Sequence, residues 1–379
     1  MKIKFLVLVV VIFWACKSKY MPTINYPATG FLVVEGFINA GNGPSIISLN
    51  RTSPLDNIHS IPETGAHVEV ESELGASFEL GDIGGGNYSI NQIPVDASQK
   101  YSLHIKTLNG KEYASAFAEV NISPPIDTVE WTAGSDIVTI FVSTHDSQNK
   151  SQYYEWHFDE TWLYTAPYFS AYRYTPGGIV PRQLSGADSL YNCWDASKSS
   201  VINIASTQNQ GTDVIHRYPL QTISYYTSNK LVNRYSILIR QTVLSKEWYE
   251  WKQELKRNTE ELGSIFDAQP SETGGNIVCT TDPTERVVGF VGCTSQAERR
   301  IFIDRSQFSP LIHVYSGYKN CGIDSILVQN ADQAFASGAE LILYPYGPPG
   351  IIVGYTGAKA DCVVCTLHGG TNVKPGFWY

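Results

Sequence analysis

The run Tyr101-Ser102-Leu103-His104-Ile105-Lys106-Thr107 sets Tyr101, Leu103 and Ile105 against Ser102, His104 and Lys106. Alternation of that kind is the period of a strand with one buried and one wet face. Asn109-Gly110 follows, a pair that accepts the positive φ of a tight hairpin, and Glu112 opens the next run. Upstream the same grammar repeats in FLVVEGFI from Phe31, SIISLN from Ser45, AHVEVES from Ala66, ASFEL from Ala76 and NYSI from Asn87; EYASAFAEV from Glu112 closes the series. Short strands at this spacing predict a mainly β chain that opens, over 30–122, with an immunoglobulin- or transthyretin-like β-sandwich.

Ile122-Ser123-Pro124-Pro125-Ile126 interrupts the pattern, because two prolines remove two ladder donors and hold the chain extended. The boundary is expected there, with a larger β-rich domain over 126–379. Strand-like runs continue near 128–132, 137–144, 152–165, 201–205, 213–224, 232–243, 276–280, 286–292 and 299–304. One amphipathic helix is predicted over 245–262. Ser245 caps it, Glu247 suits its positive end, Trp248, Trp251, Leu255 and Leu262 recur at near-helical spacing, and Gly263 stops it. Its tryptophans are expected to pack on a sheet face.

Between Tyr153 and Tyr174 the chain is dense in aromatics. Tyr154, Trp156 and Phe158 alternate with Glu155, His157 and Asp159, which predicts a core strand with a solvated polar face. Those three polar residues are also the best local set for holding a metal or sharing a proton, although further ligands are missing, so no metal or cofactor is expected. Beyond Thr165 alternation is lost while aromatics persist, giving a long aromatic loop over 166–192. Either it folds down on the second domain or it presents Tyr168, Phe169, Tyr172 and Tyr174 to a ligand.

The N-terminus, MKIKFLVLVVVIFWAC, has two lysines, an apolar run and then Phe13-Trp14-Ala15-Cys16. The run Phe5 to Trp14 is about half the ~20 residues of a spanning helix, so residues 1–15 read as an export signal ending in a lipobox. Cys16 is then the lipid acceptor, and 16–29 a polar, proline-bearing tether. Anchorage to the membrane would come from acyl chains. Six cysteines remain, Cys193, Cys279, Cys293, Cys321, Cys362 and Cys365. An even number in an exported chain predicts three disulfides of unknown connectivity. A Cys279–Cys293 bridge is disfavoured, since a turn at Asp282-Pro283-Thr284-Glu285 puts Val288 opposite Cys279 and leaves Cys293 several ~3.4 Å steps away. Cys362-Val363-Val364-Cys365 is followed by Thr366, not the histidine of a c-type haem site, and nearby Gly369-Gly370 and Pro375 oppose the helix of a thioredoxin-like motif. A structural disulfide is the reading favoured for it.

The formal charge of −9 becomes −11 once Lys2 and Lys4 leave with the signal. Nucleic acid is excluded as a partner on that balance, the densest basic run being only Arg299-Arg300 near Arg305. G-x-S-x-G, H-E-x-x-H and phosphate-cradling glycine loops are absent from the sequence, so no catalytic residues are assigned.

Several segments together resemble the Bacteroidota outer-membrane lipoproteins of domain-of-unknown-function family 4249. They are Leu32-Val33-Val34-Glu35-Gly36, Pro124-Pro125-Ile126-Asp127-Thr128-Val129, Cys193-Trp194, the run Lys256 to Asp267, Arg300-Ile301-Phe302-Ile303 and the ending Gly369 to Trp378. The resemblance implies an outer-membrane location and association with a TonB-dependent receptor, and it carries over no catalytic residue. A non-enzymatic accessory or ligand-capture module is the expected role, with a structural or adhesive envelope protein as the second reading. Lys17-Ser18-Lys19, in place of acidic residues after Cys16, leaves the membrane face open.

Overall fold

The computed structural model describes residues 30–53, 60–183, 189–260 and 274–379. The signal 1–15, Cys16, the tether to residue 29, the last two residues of the expected helix and the family-like run from Glu261 to Asp267 lie outside them. Described residues are mainly strand, as the alternation predicts.

In the first unit, strand pairing runs from Lys100–Lys106 through His67–Ser72, Ser77–Gly84, Asn87–Ile90, Ser45–Arg51 and Leu32–Asn39, all antiparallel. Leu32–Asn39 then pairs in parallel with Cys293–Thr294, which pairs in parallel with Ala118–Asn121. Ala118–Asn121 returns to Lys100–Lys106, so eight strands close a ring. The expected two-sheet sandwich over 30–122 is therefore replaced by a barrel-like closure that leaves the ring without free edges.

The expected division near residue 122 is also crossed. Ile277–Cys279 pairs with Glu112–Ser115, Val287–Val288 with Leu32 and Val33, and Cys293–Thr294 completes the ring. Ile277, Cys279, Val287, Val291 and Cys293 are buried in one core with Leu32, Val34, Ile47, Leu103 and Tyr113. Parallel pairing needs a long crossover, here most of the second unit, so local hairpin reading could not anticipate it.

Beyond Ser123 two further sheets share a second core. One sheet holds Ile126–Ala133, Ile137–His145 and Val214–Ser224; the other holds Asn192–Lys198, Tyr153–Thr165, Arg234–Val243 and Gln296–Asp304, with Asn203–Ser206 beside its second strand. Val138, Ile140 and Val142 from the first share a core with Trp156, Tyr235, Ile237 and Ile239 from the second.

The helix spans Lys246–Glu260. Ser245 caps it as expected, its Oγ accepting from the Trp248 amide at 3.2 Å. Toward the C-terminus, Asp324–Leu327, Gly354–Lys359 and Glu340–Tyr346 form a small sheet. The aromatic excursion is not a plain loop: Tyr172–Thr175 and Gly178–Pro181 form a hairpin, and Tyr172, Tyr174 and Ile179 pack with Ala331, Phe335 and Ile342.

Candidate functional site

Where helix, barrel and five-stranded sheet meet, they border an open cleft of about 530 Å³. Phe37 enters from the barrel, Glu155, His157 and Thr242 from the sheet, Trp248, Trp251, Lys252 and Leu255 from the helix, and Phe290 and Gln296 from the returning segment. Trp248, Lys252 and Leu255 fall at i, i+4 and i+7, so one helical face supplies most of a wall.

The aromatic side is fixed by packing. Trp248 is 4% exposed and stacks on Phe290 with centroids 5.8 Å apart; Trp251 lies 6.1 Å from Phe290. Trp251 Nε1 donates to Gly274 O at 2.6 Å, which sets the orientation of its ring, whereas Trp248 Nε1 is buried without a hydrogen-bond partner.

At the polar side Glu155 is 2% exposed, contrary to the solvated face expected of it, because the helix covers that stretch of strand. Lys252 Nζ lies 2.8 Å and His157 Nε2 3.1 Å from Glu155 Oε1. The Lys252 contact is an ion pair and the His157 contact a close approach of the imidazole, both without hydrogen-bond alignment at that oxygen. Burial by itself would raise the Glu155 carboxyl; the Lys252 ammonium, with His157, outweighs it and holds the group at about 2. Glu155 is thus held as an anion at neutral pH. Asp159, the third member of the alternating set, is turned to other work: Arg240 Nη1 reaches it at 2.7 Å and Arg240 Nε reaches Glu298 at 2.8 Å. No cluster of three or more metal-type ligands occurs among the described residues.

The four aromatics proposed as ligand contacts are all half-buried and engaged within the fold. The Tyr168 hydroxyl donates to Cys321 O at 3.0 Å and its amide to Cys362 O at 3.2 Å. Phe169 lies against Tyr191 at 5.6 Å, and Tyr172 and Tyr174 cover the short helix Ala331–Phe335. The excursion folds down rather than outward.

The six cysteines form two disulfides, not three. Cys193 pairs with Cys365 and Cys321 with Cys362, with Cα atoms 5.7 Å apart in each. Both cysteines of Cys362-Val363-Val364-Cys365 are bridged, each to a distant partner. Cys279 and Cys293 are free and buried in the barrel core, and burial pushes the Cys293 thiol up to about 12. Their strands pair with different neighbours, which accords with the doubt raised by their spacing.

Single-sequence reading missed Lys252, Phe290 and Gln296 as cleft residues. Lys252 had a usable signal, four residues beyond Trp248 on the same helical face; Phe290 and Gln296 had none, since their place depends on the return crossover.

A family profile described as "Domain of unknown function (DUF4249)" matches residues 17–300. No curated protein matches the chain. Among solved structures, a two fibronectin type-III domain segment from chicken tenascin aligns at 8% identity over 73% of this chain and 98% of that one, with a TM-score of 0.17. That score is too low for any argument from it.

Proposed function

This chain belongs to the DUF4249 family, and from that footing we propose that it is a non-enzymatic outer-membrane lipoprotein of the Bacteroidota type that captures a ligand beside a TonB-dependent transporter. One observation carries the capture role: an open cleft built by three elements, whose lining sets Trp248, Trp251 and Phe290 beside Glu155, which contacts Lys252 and His157, and beside the exposed Glu35. Such a surface suits recognition, with ring faces for apolar contact and a few placed polar groups for orientation. A carboxylate held near 2 by its neighbours suits scaffolding better than proton transfer. The lipobox at Phe13 to Cys16 supports the tether.

The test is made in the native cell, with an affinity tag inserted at the exposed turn of Gly75. Mild detergent extraction should recover a large β-barrel receptor with the protein. Repeated recovery of the protein alone would overturn the transporter association and favour the structural or adhesive reading. Cys16→Ser should move the protein from the membrane to the soluble fraction; unchanged partitioning would refute lipid attachment.

A further inference from the structure

The small C-terminal sheet carries a feature that the cleft does not use. Leu327, Val328, Ile351, Ile352 and Val353 are each more than two-fifths exposed, Ile351 reaching 64%. They form one surface: the Val328 amide donates to Val353 O at 3.1 Å, and Leu327 is the strand partner of Gly354. No charged residue occurs from Leu341 to Ala358 or from Ser325 to Ala331. Adjacent aliphatics without charge are uncommon on a solvated surface and mark a contact site.

The loop between Tyr346 and Gly354 is built rather than slack. The Val353 amide donates to Tyr346 O at 2.9 Å and the Ile351 amide to Pro348 O at 3.0 Å. Gly347 lets Ile351 O approach closely, since a Cβ there would lie 2.1 Å from that oxygen. With Pro348-Pro349 holding the entry, Ile351-Ile352-Val353 is presented at little conformational cost.

We propose that this loop dips into the apolar margin of the bilayer to which the chain is tethered, so that the protein meets its membrane twice. The inference rests on the lipid-anchor reading for its setting. Between Cys16 and Gly30 an extended chain reaches at most roughly 50 Å, and a compact body of this length is on the order of 50 Å across. Most faces of the body, all but those nearly opposite Gly30, can therefore be brought to the bilayer. An exposed, aliphatic surface fits hydrocarbon, and because neither 341–358 nor 325–331 contains lysine or arginine, its partition needs no anionic headgroup.

The experiment uses the full mature chain with Cys16→Ser, so that its result is independent of acylation. It is sedimented with vesicles of phosphatidylcholine alone and of phosphatidylcholine with phosphatidylglycerol. Partition should be similar on both, and the Ile351→Ser/Ile352→Ser double variant should lower it about tenfold or more, with its melting profile kept. Leu74→Ser, at an exposed turn of the barrel, should leave it unchanged. Absence of partition on either vesicle, or partition that the double variant does not alter, would overturn the proposal. So would loss of a co-purified receptor in the double variant without vesicle binding by the parent, which would assign the surface to a protein partner. Failure of the anchor itself would show instead in cell fractionation of the parent.

Discussion

Trp248 lies so close to Gly292 that a Cβ on that glycine would sit 2.5 Å from indole carbons Cε3 and Cζ3. Through this contact the helix rests directly on the backbone of the segment that closes the barrel. Helix, ring and cleft wall are therefore one mechanical unit, although Trp248 and Gly292 come from different stages of the chain. Gly292→Ala should force the indole aside and destabilise the protein by about 1–3 kcal/mol. The expected signature is a lower urea midpoint together with changed fluorescence from the cleft tryptophans. An unchanged midpoint would show that the helix is seated some other way.

Glu155 and Lys252 predict an asymmetric mutant cycle. Lys252→Met leaves a buried carboxylate facing only His157 and should cost about 3 kcal/mol or more. Adding Glu155→Gln should recover much of that loss, because the uncompensated charge goes with it. Chemical denaturation of the two single variants and the double variant reads the coupling. Strict additivity would remove the pair from any structural role.

The same carboxyl gives the acid limb a defined direction. Its folded value, about 2, lies below its unfolded value of 4.5. The stabilisation is fully present above the unfolded value and is lost as pH falls from there through about 2, amounting to about 3 kcal/mol. Stability measured between pH 6 and pH 2.5 should fall less steeply for Glu155→Gln than for the parent. Parallel curves would contradict the assignment.

The strands were legible because alternation such as Tyr101, Leu103 and Ile105 is a local consequence of one-sided burial, and the helix because Ser245 and the Trp248–Trp251–Leu255 spacing are local too. Glu155 misled for the same reason: strand alternation assigns a face, yet a helix ninety residues later decides whether that face is wet. Ring closure was illegible because Cys293–Thr294 is a two-residue strand with parallel neighbours on both sides, too short for a period and joined by no hairpin. Of the cleft, the polar alternation and the helix tryptophans were readable; their convergence was not.

Cysteine chemistry separates two bridges from two thiols. In the Cys16→Ser protein, maleimide should label no cysteine in the native state and two, Cys279 and Cys293, after denaturation without reductant. Replacing Cys321 and Cys362 by serine should cost about 2–4 kcal/mol and loosen the seat of Tyr168, whose hydroxyl bonds Cys321 O. Detection of a third bridge by peptide mapping would contradict the barrel core as described.

The returning segment predicts that residues 30–122 do not make a stable domain. Without Cys293–Thr294 the ring opens between Leu32–Asn39 and Ala118–Asn121, exposing two strand edges, and without Val287, Val291 and Cys293 the core loses buried apolar groups. Expressed alone, 30–122 should lack a cooperative unfolding transition and bind a hydrophobic dye. In the full chain, Gly289→Ala probes the same joint, because Gly289 has φ +143° and a Cβ there would lie 2.2 Å from Val34 O. That variant should lose at least about 2 kcal/mol and accelerate amide exchange in Leu32–Asn39 and Lys246–Glu260 together, since Trp248 couples helix to segment. Faster exchange in the strand alone would uncouple the helix from the barrel, and a cooperatively folded 30–122 fragment would restore an independent first domain.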